Sequence, residues 1–370
     1  MHDPLATVAR AFAITGSYLE SRPYVAGHIN DTFVAAYSQG GTRVRYILQR
    51  INERIFRDPP AMMENILRVT GESHRRLRQA GVPDSSRRAL TVIPSVDGRA
   101  FHRDEEGKYW RAYLFIEGTR TFDVIQNERQ AREAARGFGE FQRLVSRLPG
   151  APLNETIPNF HHTRSRFERL KEAVGADPLG RLGDVRAEWD FFREREECVD
   201  VLLDLQARGE IPLRVTHNDT KLNNVLIDDA TGEAICVVDL DTVMPGLALY
   251  DFGDMVRAAT SPAAEDEQDL SLVRMQMPMF EALVDGYLAP AGAFLNDTEV
   301  RHLAFSGKLI TMETGMRFLT DFLEGDTYFK IHRPGQNLDR CRTQIALVRS
   351  IEEQENAMDE VVRRAARQAR

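Results

Sequence analysis

The sequence predicts an α+β protein in which a β-rich N-terminal lobe, residues 1–117, precedes a mainly helical C-terminal lobe, residues 118–370. Three observations carry that expectation. Short runs of β-branched and aromatic residues cluster within residues 24–116. Hydrophobic spacing turns to a helical period from Gln126 onward. Glu117-Gly118-Thr119, which follows the last hydrophobic run, has the flexible glycine of a short connector. At about 150 residues per domain, a chain of 370 residues accommodates two such lobes.

In the first lobe, residues 34–37, 43–51, 89–93 and 109–116 read as strands, each bounded by Gly, Asp or Pro. One helix interrupts them. After Pro59 and Pro60, the residues Met63, Ile66, Leu67, Thr70 and Leu77 recur at helical spacing until Gly81 and Pro83 stop the run. The second lobe reads as helices over 130–147, 164–174, 187–207, 270–287, 297–323 and 340–367. Asn296, followed three residues later by Glu299, suits a capping-box variant whose side chains satisfy free amide donors. The run Met275-Gln276-Met277-Pro278-Met279 reads as packing at a helix bend. Only one β-like island, residues 213–238, breaks the helical pattern, and no internal repeat is visible.

Composition narrows the function classes. Hydrophobic residues at 42% and charged residues at 28%, with no Gly, Ser or Pro tract, describe an ordered chain. Lys and Arg number 48 against 56 Asp and Glu, so a broad phosphate-backbone footprint is not expected and nucleic acid is not the expected partner. Residues 1–13 lack a long apolar run, and no stretch approaches the ~18 apolar residues of a spanning helix, so a cytoplasmic location away from membranes is expected. Cys198, Cys236 and Cys341 are odd in number and far apart, which suggests reduced thiols and neither a disulfide framework nor a zinc site.

The chemistry concentrates in the β-like island. His217-Asn218-Asp219-Thr220-Lys221-Leu222-Asn223-Asn224 puts an Asp, a Lys two residues on and an Asn five residues on in a loop after a short strand. Those types suit phosphoryl transfer: Asp can take or orient a hydroxyl proton, Lys can neutralise a moving phosphoryl group, and an Asn oxygen can ligate Mg²⁺. A hairpin of strands 225–227 and 235–238 centred near the Thr231–Gly232 bond would set Asp239 opposite Asn224 as a second oxygen ligand. A literal D-F-G stands at Asp251-Phe252-Gly253, but it lies beyond Pro245-Gly246 and outside the hairpin. Bonding the catalytic loop or capping a helix is the expected role for Asp251. Asp241, two residues after Asp239, could face metal, substrate or solvent. His161 and His162 are adjacent rather than four apart and read as surface residues, whereas His217 is expected to support its own loop through hydrogen bonds.

With these residues in view, the chain resembles the aminoglycoside phosphotransferase and choline kinase superfamily over nearly its whole length, which implies a protein-kinase-like two-lobe fold. Within it, the resemblance is closest to N-acetylhexosamine 1-kinases, through Gly27-His28-Ile29-Asn30-Asp31-Thr32-Phe33, Ile47-Leu48-Gln49-Arg50-Ile51-Asn52, His217 to Asn224, Val238 to Thr242 and Gly315-Met316-Arg317-Phe318-Leu319-Thr320-Asp321. The resemblance implies that Asp219 is the catalytic base, that Asn224 and Asp239 hold Mg²⁺, and that Thr242, Arg317 and Tyr328, with Asp219, contact the sugar. Many aminoglycoside phosphotransferases have His two residues after the catalytic Asp; this chain has Lys221, as protein kinases do, which implies a second catalytic role at the γ-phosphate.

Neither a G-x-x-x-x-G-K-[ST] loop nor a G-x-G-x-x-G loop is present. The candidate phosphate loop is Gly27 to Thr32, where Gly27 permits close backbone approach and Asn30 or Thr32 can donate hydrogen bonds. Alternation along strand 44–51 puts Leu48 and Arg50 on one face and Gln49 on the other, so Arg50 is the phosphate-binding choice, with Glu64 on the following helix as its ion-pair partner. Glu117 at the connector completes the expected nucleotide contacts. The expected activity is an ATP- and Mg²⁺-dependent kinase for the anomeric hydroxyl of an N-acetylhexosamine (GlcNAc or GalNAc). Two rivals stand beside it: a kinase of a cationic alcohol such as an aminoglycoside or choline, which the acidic run Ala264-Glu265-Asp266-Glu267 permits, and a nucleotide-binding pseudokinase.

Overall fold

A computed structural model describes residues 4–24 and 29–368. In chain order the strands are β1 (Ser17–Pro23), β2 (Asp31–Gln39), β3 (Thr42–Arg50), β4 (Val92–Ile93), β5 (His102–Arg103), β6 (Tyr109–Leu114), β7 (Thr119–Arg120), β8 (Arg214–Thr216), β9 (Val225–Asp228), β10 (Ala234–Val237) and β11 (Met244–Gly246). The helices are α1 (Pro4–Arg10), α2 (Pro59–Gln79), α3 (Glu128–Val145), α4 (Thr163–Ala176), α5 (Arg186–Arg193), α6 (Val201–Ala207), α7 (Ala248–Ala259), α8 (Met277–Ala291), α9 (Asp297–Arg301), α10 (Leu303–Leu323) and α11 (Gln336–Gln368). The chain divides into two compact units. Met1–Arg120, Arg147–Pro158 and Leu226–Pro245 form the first; Thr121–Ser146, Asn159–Val225 and Gly246–Arg370 form the second. A single cut after residue 117 therefore misses two later segments that fold with the sheet.

The first unit is built on an antiparallel sheet in the order β1-β2-β3-β6-β4, with β5 also paired to β6. Its two faces differ. Ala35, Tyr37, Tyr46, Leu48, Trp110 and Ala112 share one face and pack with Val8, Ala9 and Phe12 of the α1 region. Register sets Thr32 opposite Gln49 and Gln49 opposite Arg111 on the other. The expected strands are present, and β1 is an addition. It is an edge strand with mostly exposed residues, so it has no apolar alternation to detect. The helix expected after Pro59 is α2, capped by the Asp58 side chain accepting from the Ala61 amide. Leu67, counted in its apolar series, is exposed, while Asn65 and Val69 are buried instead.

In the second unit α10 is buried on almost every side and packs against α4, α7 and α11, while α3 crosses α8. The expected stretch 187–207 is two helices joined by a tight turn at Glu196–Asp200, and 297–323 is α9 and α10 parted at His302. The Asn296 capping box forms, with both side-chain bonds present. The methionine run does not bend a helix: it opens α8, with Pro278 in the first turn, where a missing N–H costs nothing. Helix α7 has no counterpart in the sequence reading. It is short, and nearly all of its residues are buried.

Glycines set the closest helix crossings. A Cβ on Gly286 of α8 would stand 2.1 Å from the Arg132 carbonyl oxygen of α3, a backbone atom that cannot swing aside. Gly286→Ala is expected to destabilise the protein by about 1–3 kcal/mol through overpacking, checked by denaturant unfolding. Among the described residues, no helix is long and apolar enough to cross a membrane.

Candidate active site

The second unit carries the loop after β8. Asn218 adopts a left-handed conformation, φ 67°, which a short polar side chain tolerates, and its Oδ1 accepts from Thr216 Oγ1 at 3.0 Å. The loop takes its shape from α7. The buried carboxylate of Asp251 accepts the amides of His217 (2.8 Å) and Asn218 (2.7 Å) and the Gln142 side-chain amide (2.6 Å). Gln142 in turn accepts from the Tyr287 hydroxyl. One turn along, Asp254 accepts the Thr220 amide at 2.9 Å, and Thr220 Oγ1 donates to the Asp251 carbonyl at 2.7 Å. Burial pushes the Asp251 carboxyl up in pKa, against His217 and the hydrogen bonds it accepts. Asp251 thus has the loop-bonding role expected for it rather than that of a metal ligand.

Three candidate side chains converge in this loop. Asp219 Oδ1 lies 2.9 Å from Lys221 Nζ, and Asn224 Nδ2 donates to the Asp219 carbonyl at 2.9 Å and to Oδ2 at 3.1 Å. Asp219 raises the Lys221 pKa, so the ammonium stays charged. Because the Asn224 amide nitrogen is committed to Asp219, its carbonyl oxygen is turned to the other side, as a cation ligand requires. His217 is fully buried, edge-on to Phe138 and Phe141 at 5.3 and 6.0 Å, and its Nδ1 accepts from the Asp219 amide at 3.3 Å.

The same unit holds Arg317 and Tyr328. The Arg317 guanidinium lies 5.5 Å from the rings of Phe160 and Phe329 and 5.9 Å from that of Tyr328. Tyr328 is 67% exposed, on a loop pinned by Asp321, whose carboxylate accepts the amides of Thr327, Tyr328 and Phe329 at 2.7–2.9 Å. The acidic run is not a bare anionic patch. Glu265 pairs with Arg257 at 3.2 Å and Arg340 at 3.5 Å, and Asp266 pairs with Arg333 at 3.4 Å. Neither adjacent histidine is a free surface group. His161 is buried, and the His162 ring caps α4 by accepting from the Ser165 amide at 3.2 Å.

The first unit carries Asp239, Asp241 and Thr242 on the turn after β10. The hairpin forms, but its turn is closed by Asp228 N donating to Glu233 O at 2.9 Å, one residue nearer the N terminus than sequence symmetry places it, so the register does not set Asp239 opposite Asn224. Asp239 has φ 57°, and Thr242 is nearly buried. Asp241 is buried in an ion pair with Arg111, itself 1% exposed, and accepts from Asn30 Nδ2 at 2.7 Å. Burial opposes the Arg111 charge, but Asp241, Tyr113 and Asp239 outweigh it and raise the pKa. Gln49 joins this polar face, accepting from Arg111 Nε at 2.9 Å and donating to Thr32 Oγ1 at 3.0 Å.

The buried arginine of this unit is therefore Arg111, which the sequence reading missed. Arg50 and Glu64 do not pair. Arg50 lies at the exposed end of β3 in an ion pair with Asp31 (2.6 Å), and Glu64 accepts from Asn154 Nδ2 at 3.3 Å. The alternation that separates Arg50 from Gln49 was the available signal: the polar ladder runs on the Gln49 face. Glu117 pairs with Arg45, which holds its carboxyl below the usual range. Gly27 lies outside the described residues.

A family model described as the phosphotransferase enzyme family (APH) matches residues 20–283. Among solved structures, an aminoglycoside phosphotransferase from Alicyclobacillus acidocaldarius subsp. acidocaldarius DSM 446 is similar at 12% identity, over 100% of this chain and 97% of that one, with a TM-score of 0.61. A microcompartment-associated aminopropanol kinase matches at 16% identity over 96% and 98%, TM-score 0.56. A choline kinase from Cryptosporidium parvum Iowa II matches at 13% identity over 97% and 96%, TM-score 0.55. At these identities the likeness speaks for the fold, which is protein-kinase-like, with a β-rich N-terminal and a mainly helical C-terminal lobe.

Proposed function

Because the chain belongs to the phosphotransferase enzyme family, we propose that it is an ATP- and Mg²⁺-dependent kinase that phosphorylates the anomeric hydroxyl of an N-acetylhexosamine. The observation that carries the kinase part is the Asp219–Lys221–Asn224 arrangement, in which a carboxylate stands beside a charged lysine and accepts from an asparagine amide nitrogen. Asp219 orients the acceptor hydroxyl and takes its proton, and Lys221 offsets the charge on the transferring phosphoryl group. Asn224 and Asp239 are the proposed Mg²⁺ ligands. Their hard oxygen donors fit an ion that binds through one or two protein groups and completes its shell with phosphate and water. When bound, Mg²⁺ neutralises the β- and γ-phosphates.

The nucleotide contacts proposed in the first unit are Gly27, Asn30, Thr32, Arg50, Glu64 and Glu117. The exposed Arg50–Asp31 pair is weak enough to yield to a phosphate. Thr242, Arg317 and Tyr328 are the proposed sugar contacts. The arginine partners of Glu265 and Asp266 favour a neutral, hydroxyl-rich acceptor over a cation. A cationic alcohol remains the second reading, favoured by the exposed aromatic face of Tyr328 and by aminoglycoside, aminopropanol and choline enzymes of the same fold. A cytoplasmic location, where ATP is supplied, goes with either.

The test is ADP release with ATP and Mg²⁺ across N-acetylglucosamine, N-acetylgalactosamine, galactose, choline, aminopropanol and aminoglycosides. Turnover confined to N-acetylhexosamines, with phosphate on the anomeric oxygen, supports the sugar reading. Turnover confined to cationic alcohols transfers the protein to the second, and Mg·ATP binding without transfer to any acceptor marks a nucleotide-binding scaffold. Asp239→Ala is expected to raise the Kd for Mg·ATP about tenfold or more, the loss of one charge-assisted ligand, measured by calorimetry.

A further inference from the structure

His161 contributes a second anchor to the catalytic loop. It sits just before α4, and its Nδ1 lies 2.8 Å from Glu313 Oε1 of α10, while its Nε2 lies 3.2 Å from the carbonyl oxygen of Asn218. That carbonyl belongs to the peptide joining Asn218 to Asp219. The N–H of the same peptide is held by His217 Nδ1 at 3.3 Å. One peptide plane is thus gripped at both ends by imidazoles, and any rotation of it would swing the Asp219 side chain. Asn218 is left-handed, φ 67°, so the chain alone does not favour this orientation.

We propose that His161 and Glu313 form a positioning pair for phosphoryl transfer, in which the imidazole clamps the Asn218 carbonyl and Glu313 fixes the proton arrangement that lets it do so. The inference rests on the kinase reading above. A carbonyl oxygen can only accept, so Nε2 must carry a proton. Nδ1 lies 2.8 Å from Glu313 Oε1, a partner that favours a second proton on the imidazole.

Every charged group around the imidazole bears on that second proton. Burial disfavours the cation and Arg317 on α10 repels it, whereas Glu313 and Asp254 on α7 favour it, with a net rise above the ordinary histidine value. The Tyr250 ring of α7 packs at 5.4 Å, and Arg166 of α4 interacts with both Glu313 and Arg317. Glu313 is fully buried and its Oε2 has no hydrogen-bond partner, an arrangement that costs stability rather than adding to it.

The sign of the pH effect follows from the hydrogen-bond count. Below the raised pKa, the imidazolium donates to both partners. Above it, one proton serves two acceptors, the carboxylate is the stronger, and the Nε2 lone pair then faces the Asn218 carbonyl. The clamp is intact at lower pH and released as pH rises through the His161 pKa.

Turnover by the full-length protein is measured against pH for wild type, Glu313→Gln and Glu313→Asp, alongside ¹⁵N imidazole spectra assigned with His161→Gln. Glu313→Gln is expected to lower kcat about 10–100-fold at a pH where the spectra show the wild-type His161 doubly protonated and the variant's not, as small misplacements of reacting groups do, with KM for Mg·ATP within about twofold. It should also move the alkaline limb of kcat down by about one pH unit or more, with partial return in Glu313→Asp. A folded Glu313→Gln variant with an unmoved alkaline limb overturns the proposal. So does a wild-type titration in which the His161 imidazolium loses its proton at or below the ordinary histidine pKa, a result that needs no turnover and stands even if Glu313→Gln does not fold. Lack of transfer by the wild type to any acceptor overturns the kinase reading instead.

Discussion

Asp219→Asn is expected to lower kcat by about 10²–10⁴, the contribution of a positioned general base, while leaving Mg·ATP binding and the melting temperature close to wild type. Asparagine keeps the shape of the side chain and can still meet Asn224, but it cannot take the hydroxyl proton. It also removes the charge that holds Lys221 in place at 2.9 Å. Lys221 then swings more freely, so part of the loss comes from a wandering cation. A double variant with Lys221→Met separates the two: if both losses simply multiply, Lys221 acts without Asp219. Wild-type turnover by Asp219→Asn under chemistry-limited conditions would mean that the base lies elsewhere.

The second large effect is expected far from the reacting atoms. Asp251→Ala removes an acceptor that serves the His217 amide, the Asn218 amide and the Gln142 side chain at once. Each buried donor left unsatisfied costs about 1–3 kcal/mol, so a combined loss of roughly 3–5 kcal/mol is expected, allowing for relaxation. Denaturant unfolding measures it, and turnover should fall with it because the loop loses its template. The two variants have opposite signatures: Asp219→Asn is stable and inactive, whereas Asp251→Ala is unstable as well. An Asp251→Ala protein with wild-type stability would show that the loop is held by other means.

Much of this was legible in the sequence, for identifiable reasons. The strands of the sheet and the amphipathic helices α2 and α3 each have one apolar face, and a one-sided period is what a sequence displays. The D-x-K-x-x-N spacing was readable because short loops keep nearby residues near each other. What escaped was long-range or all-round. Helix α7 is short and buried on nearly all sides, and its contacts lie far away in sequence. Arg111 looks like any strand arginine until β6 pairs with β3 and brings it beside Gln49 and Asp241. The expected Arg50–Glu64 pair does not form, because the register partner of Arg50 is Asp31 at the exposed end of the strand. His161 was misread for a similar reason: its partners, Glu313 and Asn218, are 152 and 57 residues away.

The Asp-Phe-Gly tripeptide has a further consequence. Asp251 holds the loop, Phe252 is fully buried among Phe280 and Tyr287, and a Cβ on Gly253 would lie 2.4 Å from the Ser306 carbonyl oxygen of α10. All three are locked in the N-terminal half of a buried helix, so the tripeptide has no room to flip. The loop amides bonded to this helix can meet solvent only when the helix itself opens. Hydrogen exchange at His217, Asn218 and Thr220 should therefore be as slow as in the surrounding core, although these residues belong to no regular element.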